Sequence, residues 1–390
     1  MGNGSLREAE SVSRSPDRDL ELRCVRLGFI PLTDCAVLVA AREQGFFARH
    51  GLDVRLCREP SWANIRDKVD SGALDGAHML APMALAAGQG VPGAGIRPIT
   101  TAFSLGLNGN AITVSRGLYQ RLQEADPVAM ATRPITARAL KTVIAADQRA
   151  GRPPLTFATV FSFSAHDLQL RYWLAAAGID PDRDVRLVVI PPPRVADHLE
   201  AGLIDGYCVG EPWNSLAVEE GTGCCVATSS DLAPLHPEKV LLLRPAFAQR
   251  HPDAAARLVA ALIESCRFCD VPRNWTLIRE VLTHLHYLNA PMSSLLNETG
   301  VPFNIAHPTI RSHHQFTIFH RYRANAPTAE RAHWLLAQLV HHRLVPAPSE
   351  TVRERLLAGF DPGLFSRALV LVAEQARLNA LEAHQTATLT

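Results

Sequence analysis

The chain has 390 residues, 47% of them hydrophobic and 20% charged. That is too apolar for general disorder and too long for one hydrophobic core, so two lobes of ordinary domain size are expected. Lysine and arginine number 39 against 38 aspartate and glutamate, which excludes a bulk field able to hold RNA or an acidic membrane; any bound anion must be held locally.

Residues 1–22 are charged throughout and carry no apolar run of signal-peptide length, so a disordered leader and a cytoplasmic location are expected, with the eight cysteines reduced. Val25–Ile30 reads as a buried strand, Ala36–His50 as a helix, Asp53–Leu56 as a second strand, Ile65–Val69 as a helix and Ala77–Leu80 as a third strand. This βαβαβ alternation predicts a parallel sheet. The glycine-rich run Gly88–Gly95 carries Pro92 and follows a helix-like segment, so it reads as a loop and not as a phosphate cradle. Asn110–Ser115 reads as a strand crossing to the second lobe, followed by helical sequence from Leu118 to Ala150 interrupted near Pro134. The first pattern then returns as strand Leu155–Val160, helix Asp167–Ala177, strand Val185–Ile190, helix Val195–Ala201 and strand Tyr207–Val209. Lys239–Arg244 reads as a strand returning to the first lobe, and helical spacing dominates after about Pro252. The division that follows is a leader at 1–22, the first part of lobe 1 at 23–109, lobe 2 at 110–213, a return to lobe 1 at 214–270, and a C-terminal helical region packing on lobe 1 at 271–390.

The return is a duplication. FFARHGLDVRL pairs with WLAAAGIDPDRDVRL, and Ser71-Gly-Ala-Leu-Asp-Gly76 pairs with Ala201-Gly-Leu-Ile-Asp-Gly206, roughly 130 residues later, far beyond a solenoid period. Each Gly-x-x-Asp-Gly ends a helix and turns into a strand, so its Asp and Gly residues are read as turn chemistry.

Ligands of open α/β sheets sit beyond the carboxyl ends of the strands. Ser162 and Ser164 lie near His166 there, but no Gly-x-Ser-x-Gly elbow accompanies them. There is no Walker lysine loop; Cys266 and Cys269 have no second pair, and His313-His314 and His341-His342 lack the i, i+4 spacing of a helical metal site. No metal and no cofactor are expected. The loops instead supply donors: Trp62, Asn108, Asn110, His166, the backbone at Gly210, and Lys239. A buried monovalent anion needs such fixed donors in place of its water shell. Each residue also has a plainer reading, with Trp62 as packing, Asn110 as a turn residue, His166 as a helix cap or core partner, and Lys239 as a solvated strand end.

The runs Glu59-Pro-Ser-Trp-Ala-Asn-Ile-Arg-Asp-Lys68, Ala165-His-Asp-Leu-Gln-Leu-Arg-Tyr-Trp-Leu-Ala175, Gly178-Ile-Asp-Pro-Asp182 and Cys208-Val-Gly-Glu-Pro-Trp213 resemble the nitrate- and bicarbonate-binding family of ABC-importer solute receptors. Within it, the chain resembles the cytoplasmic nitrate/nitrite sensor branch, the NasS type. The resemblance covers roughly Val25 to Asp270 and implies an α/β, two-lobed type II periplasmic-binding-protein fold (a Venus flytrap) with extra C-terminal helices. It implies no enzymatic activity. It further implies that nitrate or nitrite controls an ANTAR-type RNA-binding antiterminator partner in nitrate assimilation, with no direct nucleic-acid contact and no membrane span. Carried over residue by residue, the implied ligands are Trp62, His166, Gly210, Lys239 and an amide, Asn110 or Asn108, of which Asn110 is chosen. The alternatives are an importer receptor for nitrate, bicarbonate or a small sulfonate, and a pyrimidine-synthase-like enzyme of the same fold. Bicarbonate would want a carboxylate to accept its O–H, for which Glu211 is the candidate; the enzyme would need a Schiff-base lysine from Lys68, Lys141 or Lys239.

Overall fold

The computed structural model describes residues 24–94, 100–291, 302–304, 310–312 and 315–389; the leader and the His313-His314 pair lie outside them. The strands of the two main sheets and the short link between them are β1 (Cys24–Phe29), β2 (Asp53–Arg58), β3 (Gly76–Leu80), β4 (Thr100–Ser104), β5 (Leu107–Asn108), β6 (Asn110–Ser115), β7 (Thr156–Thr159), β8 (Arg186–Val189), β9 (Gly206–Gly210), β10 (Gly223–Thr228) and β11 (Lys239–Leu243). One sheet runs β2-β1-β3-β11-β4 and the other β8-β7-β9-β6-β10. In each, three parallel strands are followed by one antiparallel to both its neighbours. The duplication read from sequence is therefore a duplication of topology.

Register repeats as well: Leu27 lies beside Gly76 in the first sheet, and Phe157 beside Gly206 in the second. The paired Gly-x-x-Asp-Gly turns are structural. Asp75 Oδ2 accepts from Arg26 N at 2.9 Å, and Asp205 Oδ2 accepts from Thr156 N at 2.7 Å, each carboxylate tying its turn to the neighbouring strand. A Cβ on Gly76 would meet Leu242 O at 2.7 Å, and one on Gly206 would meet Phe157 Cε1 at 2.8 Å, so only glycine fits between the strands.

Local signals set the helix boundaries. Ser61 Oγ accepts from Asn64 N and starts the helix Trp62–Asp70; Ser164 Oγ accepts from Asp167 N and starts Ala165–Ala176. The expected single helix from Ala36 to His50 is two, Ala36–Glu43 and Phe46–Arg49, because Gly45 adopts φ 72° between them. Residues 116–149 form the helices Arg116–Ala125, Pro127–Ala131 and Arg138–Arg149, with the break around Pro134.

One expected boundary moves. β10 pairs antiparallel with β6, so lobe 2 runs on to Thr228 and the chain turns back after that residue, not at 214. The helix Pro252–Cys269 buries its apolar face, Cys266 and Cys269 included, in the outer core of lobe 1, where Leu364, Ala368 and Val372 of the helix Pro362–Leu389 join it. The helix Ala329–His341 inserts Ala332, Leu335, Leu336 and Leu339 into a second core shared by Leu85 of lobe 1 and Val209 and Trp213 of lobe 2. No helix among the described residues is long and apolar enough to cross a membrane.

Candidate anion site

The lobes face each other across the carboxyl ends of their parallel strands. Two backbone-anchored bonds close the seam: Thr33 N donates to Glu211 O at 2.7 Å, and Trp213 Nε1 donates to Pro31 O at 3.2 Å. The chain crosses between sheets twice, and the first residue of the strand after each crossing is Asn110 on β6 and Lys239 on β11.

Lys239 is only 1% exposed. Its Nζ lies 2.6 Å from Glu238 Oε1, 3.0 Å from Asp34 Oδ2 and 5.7 Å from the centre of the Trp62 ring. The other Glu238 oxygen accepts from Asn110 Nδ2 at 2.7 Å, and His166 Nε2 stands 3.7 Å from Glu238 Oε1. Asn110 Nδ2 also donates to Gln169 Oε1 at 3.2 Å, and Gln169 Nε2 is 2.7 Å from His236 Nε2. On the lobe 1 side, His78 Nε2 lies 3.2 Å from Asp34 Oδ1, and its ring sits 5.9 Å from that of Trp62. Gly210 is the ladder partner of Asn110, and a methyl there would stand 3.5 Å from Asn110 Oδ1.

All five residues expected from the sequence are thus brought together, from both lobes. Of the two amides, Asn110 Nδ2 bonds Glu238 and Gln169, whereas Asn108, at φ 60°, donates from Nδ2 to Gln315 O at 2.8 Å. Three of their polar groups have no hydrogen-bond partner among the described residues, namely Trp62 Nε1, Asn110 Oδ1 and both ring nitrogens of His166. Buried polar groups left in this state are costly by themselves; the indole and imidazole nitrogens can donate to a ligand, whereas Asn110 Oδ1 can only accept.

The electrostatics follow from burial and close opposite charges. Burial alone would lower the Lys239 ammonium, but Asp34 and Glu238 outweigh it and hold the amine protonated above its ordinary range. Burial would raise both carboxylates; Lys239, with His78 at Asp34 and with His166 and His236 at Glu238, pulls both below the usual range. Burial dominates at His166, opposed by Glu238, and depresses its pKa to about 3.

Asp34, His78, Gln169, His236 and Glu238 were not singled out from sequence. Most of their partners lie tens of residues or more away, although Glu238 also bonds the adjacent Lys239. Glu211, the carboxylate weighed for bicarbonate, directly follows Gly210, and its backbone oxygen accepts from Thr33 N. Its Oε2 accepts from Ser215 N at 3.1 Å, and burial raises its pKa to about 7. The serines beside His166 are a helix cap and loop, since Ser164 Oγ donates to Phe161 O at 2.6 Å. A Schiff base is ill served here: Lys239 is held protonated between two carboxylates, and Lys68 is bonded to Glu59 at 2.7 Å. Beyond Gln169 and His236 a cavity of about 540 Å³ opens, lined by Leu168, Tyr172, Leu235 and Trp334 among others.

The solved structure of the periplasmic nitrate-binding protein NrtA from Synechocystis PCC 6803 superposes with a TM-score of 0.82 at 26% identity, covering 91% of each chain. The bicarbonate transport ATP-binding protein CmpC of Synechococcus elongatus is 37% identical over 362 residues, 92% of this chain and 51% of CmpC. The nitrate/nitrite binding protein NrtA of the same organism is 38% identical over 262 residues, 65% of this chain and 56% of that protein. The chain thus spans about half the length of the curated relatives it matches. These relatives are named for the binding of nitrate or nitrite or for the transport of bicarbonate. Residues 18–283 match the model of the NMT1-like family, so the chain belongs to that family and carries the two-lobed solute-receptor fold.

Proposed function

We propose that the chain is a receptor for a small planar oxyanion, nitrate or nitrite first and bicarbonate second, serving an ABC importer. The observation that carries this reading is the convergence of Trp62, Asn110, His166 and Lys239 from both lobes on one buried point, with the indole and imidazole nitrogens unpartnered. In this reading Trp62 and His166 donate to the anion, Asn110 and the backbone at Gly210 frame it from lobe 2, and the Lys239 ammonium supplies the compensating charge. The likeness to proteins named for nitrate and bicarbonate supports the class of ligand. Titration calorimetry with sodium nitrate, nitrite and bicarbonate tests it; absence of binding by all three at millimolar concentration sinks the reading.

The narrower expectation, a cytoplasmic sensor that releases an ANTAR-type antiterminator, rests on the sequence resemblance. The relatives described above are importer components, which favours the receptor role. A pull-down of the chain with and without nitrate distinguishes the two, since nitrate-dependent release of a small RNA-binding protein would restore the sensor.

A further inference from the structure

The anion site already contains an anion. Glu238 presents a planar carboxylate whose oxygens engage Lys239 Nζ at 2.6 Å and Asn110 Nδ2 at 2.7 Å, with His166 Nε2 and His236 Nδ1 each 3.7 Å away. Two of the donors assigned above to an oxyanion therefore serve an internal one. Charge points the same way. Asp34 and Glu238 set two carboxylates against the Lys239 ammonium, with His78 beside Asp34 and with His166 and His236 beside Glu238. A further monoanion in this buried cluster would bring the count to three negative charges against one positive, and uncompensated buried charge is costly enough that a group takes up a proton instead.

The candidates for that proton are set by what faces Glu238. Lys239 on β11 is already protonated, and Asp34 and His78 lie on its far side. His236 is engaged by Gln169 at 2.7 Å. His166, on the lobe 2 helix, has both ring nitrogens unpartnered among the described residues and stands within reach of Glu238. Building on the receptor reading, we propose that Glu238 is an internal competitor for the anion's donors, and that the anion enters together with one proton held by the His166–Glu238 pair. The proton comes from solvent and bonds to an imidazole nitrogen or a carboxylate oxygen of that pair; no other bond changes. The depressed pKa of His166 is in accord, because it leaves the ring neutral before the anion arrives.

Nitrate is the suitable probe, since it brings no titratable proton of its own. Neutral sodium nitrate is added to the full chain in weakly buffered solution under pH-stat control, with the affinity measured in parallel at about pH 6 and about pH 8. About one proton is expected to be taken up per nitrate bound, and the Kd should rise about tenfold for each pH unit over which that uptake holds. In Glu238→Gln the uptake should vanish, the Kd should become independent of pH, and nitrate should bind more tightly than to the unmodified chain at about pH 8. Nitrate binding without proton uptake overturns this inference and leaves the receptor reading intact; weaker binding by Glu238→Gln at about pH 8 overturns the competitor role. Should the variant not fold, the proton count on the unmodified chain decides. Failure of nitrate, nitrite and bicarbonate to bind at either pH removes the receptor reading and the inference with it.

Discussion

Trp62→Phe separates packing from recognition at one residue. Trp62 is 1% exposed and packs in the core at the lobe seam, while its Nε1 has no hydrogen-bond partner among the described residues. Phenylalanine keeps an aromatic face toward Lys239 and His78 and leaves a void of roughly 40 Å³, which by the cavity relation costs about 1 kcal/mol. Removing a buried, unpaired N–H returns a gain of about 1 kcal/mol or more. The free protein should therefore change in stability by less than about 1 kcal/mol, read by urea denaturation. The anion-bound state loses a charge-assisted hydrogen bond of about 1.5–3 kcal/mol, so nitrate affinity by calorimetry should fall about 10- to 150-fold. A variant destabilised by more than about 3 kcal/mol that still binds nitrate with unaltered affinity would show Trp62 to be packing alone and refute the ligand assignment.

Lys239→Met should cost about 3–5 kcal/mol, because it leaves Asp34 and Glu238 buried without their shared cation. The loss should be smaller at about pH 5 than at about pH 8 in urea melts, since the two carboxylates can then take up protons. Glu211 has a folded pKa raised from 4.5 to about 7 by burial, so its contribution to stability is fully present below 4.5 and lost as pH rises through about 7. Glu211→Gln, neutral throughout and still able to accept from Ser215 N, should be more stable than the unmodified protein at about pH 8, by up to about 3 kcal/mol, and equal to it near pH 4. Asp205→Ala should destabilise by about 1–3 kcal/mol through the freed Thr156 N–H, with nitrate affinity unchanged in calorimetry.

The scaffold was legible because it is written twice. Each of the strands expected in the two copies lies within two residues of its observed bounds, and buried parallel strands announce themselves as short apolar runs. β4 and β10, the equivalent last strands of the two sheets, escaped notice: both lie beyond the copied segments of sequence. At the site, Trp62, Asn110, His166, Gly210 and Lys239 came from family motifs, and the fold places them close to one another. Glu238 was hidden by its neighbour. Within His236-Pro-Glu-Lys239 the lysine drew the functional reading, whereas the carboxylate bonds Asn110, 128 residues away, across the lobe seam. Local sequence carries no trace of a pairing at that separation. Asp34 and His78 were missed for the same reason, since one lies in the short 3-10 helix Thr33–Cys35 and the other within a strand whose remaining residues are apolar.

Asn110 and Lys239 stand where the chain re-enters a sheet after each passage between lobes, so their mutual bridge through Glu238 lies beside both connecting strands. Such a position resembles the pin of a pair of tongs. Movement about a pivot grows in proportion to distance from it, so a contact altered by a fraction of an ångström at the pin becomes a displacement of several ångströms at the tips. On the receptor reading proposed above, an ion of four atoms bound beside that pin would act on the angle between the lobes from its most sensitive point.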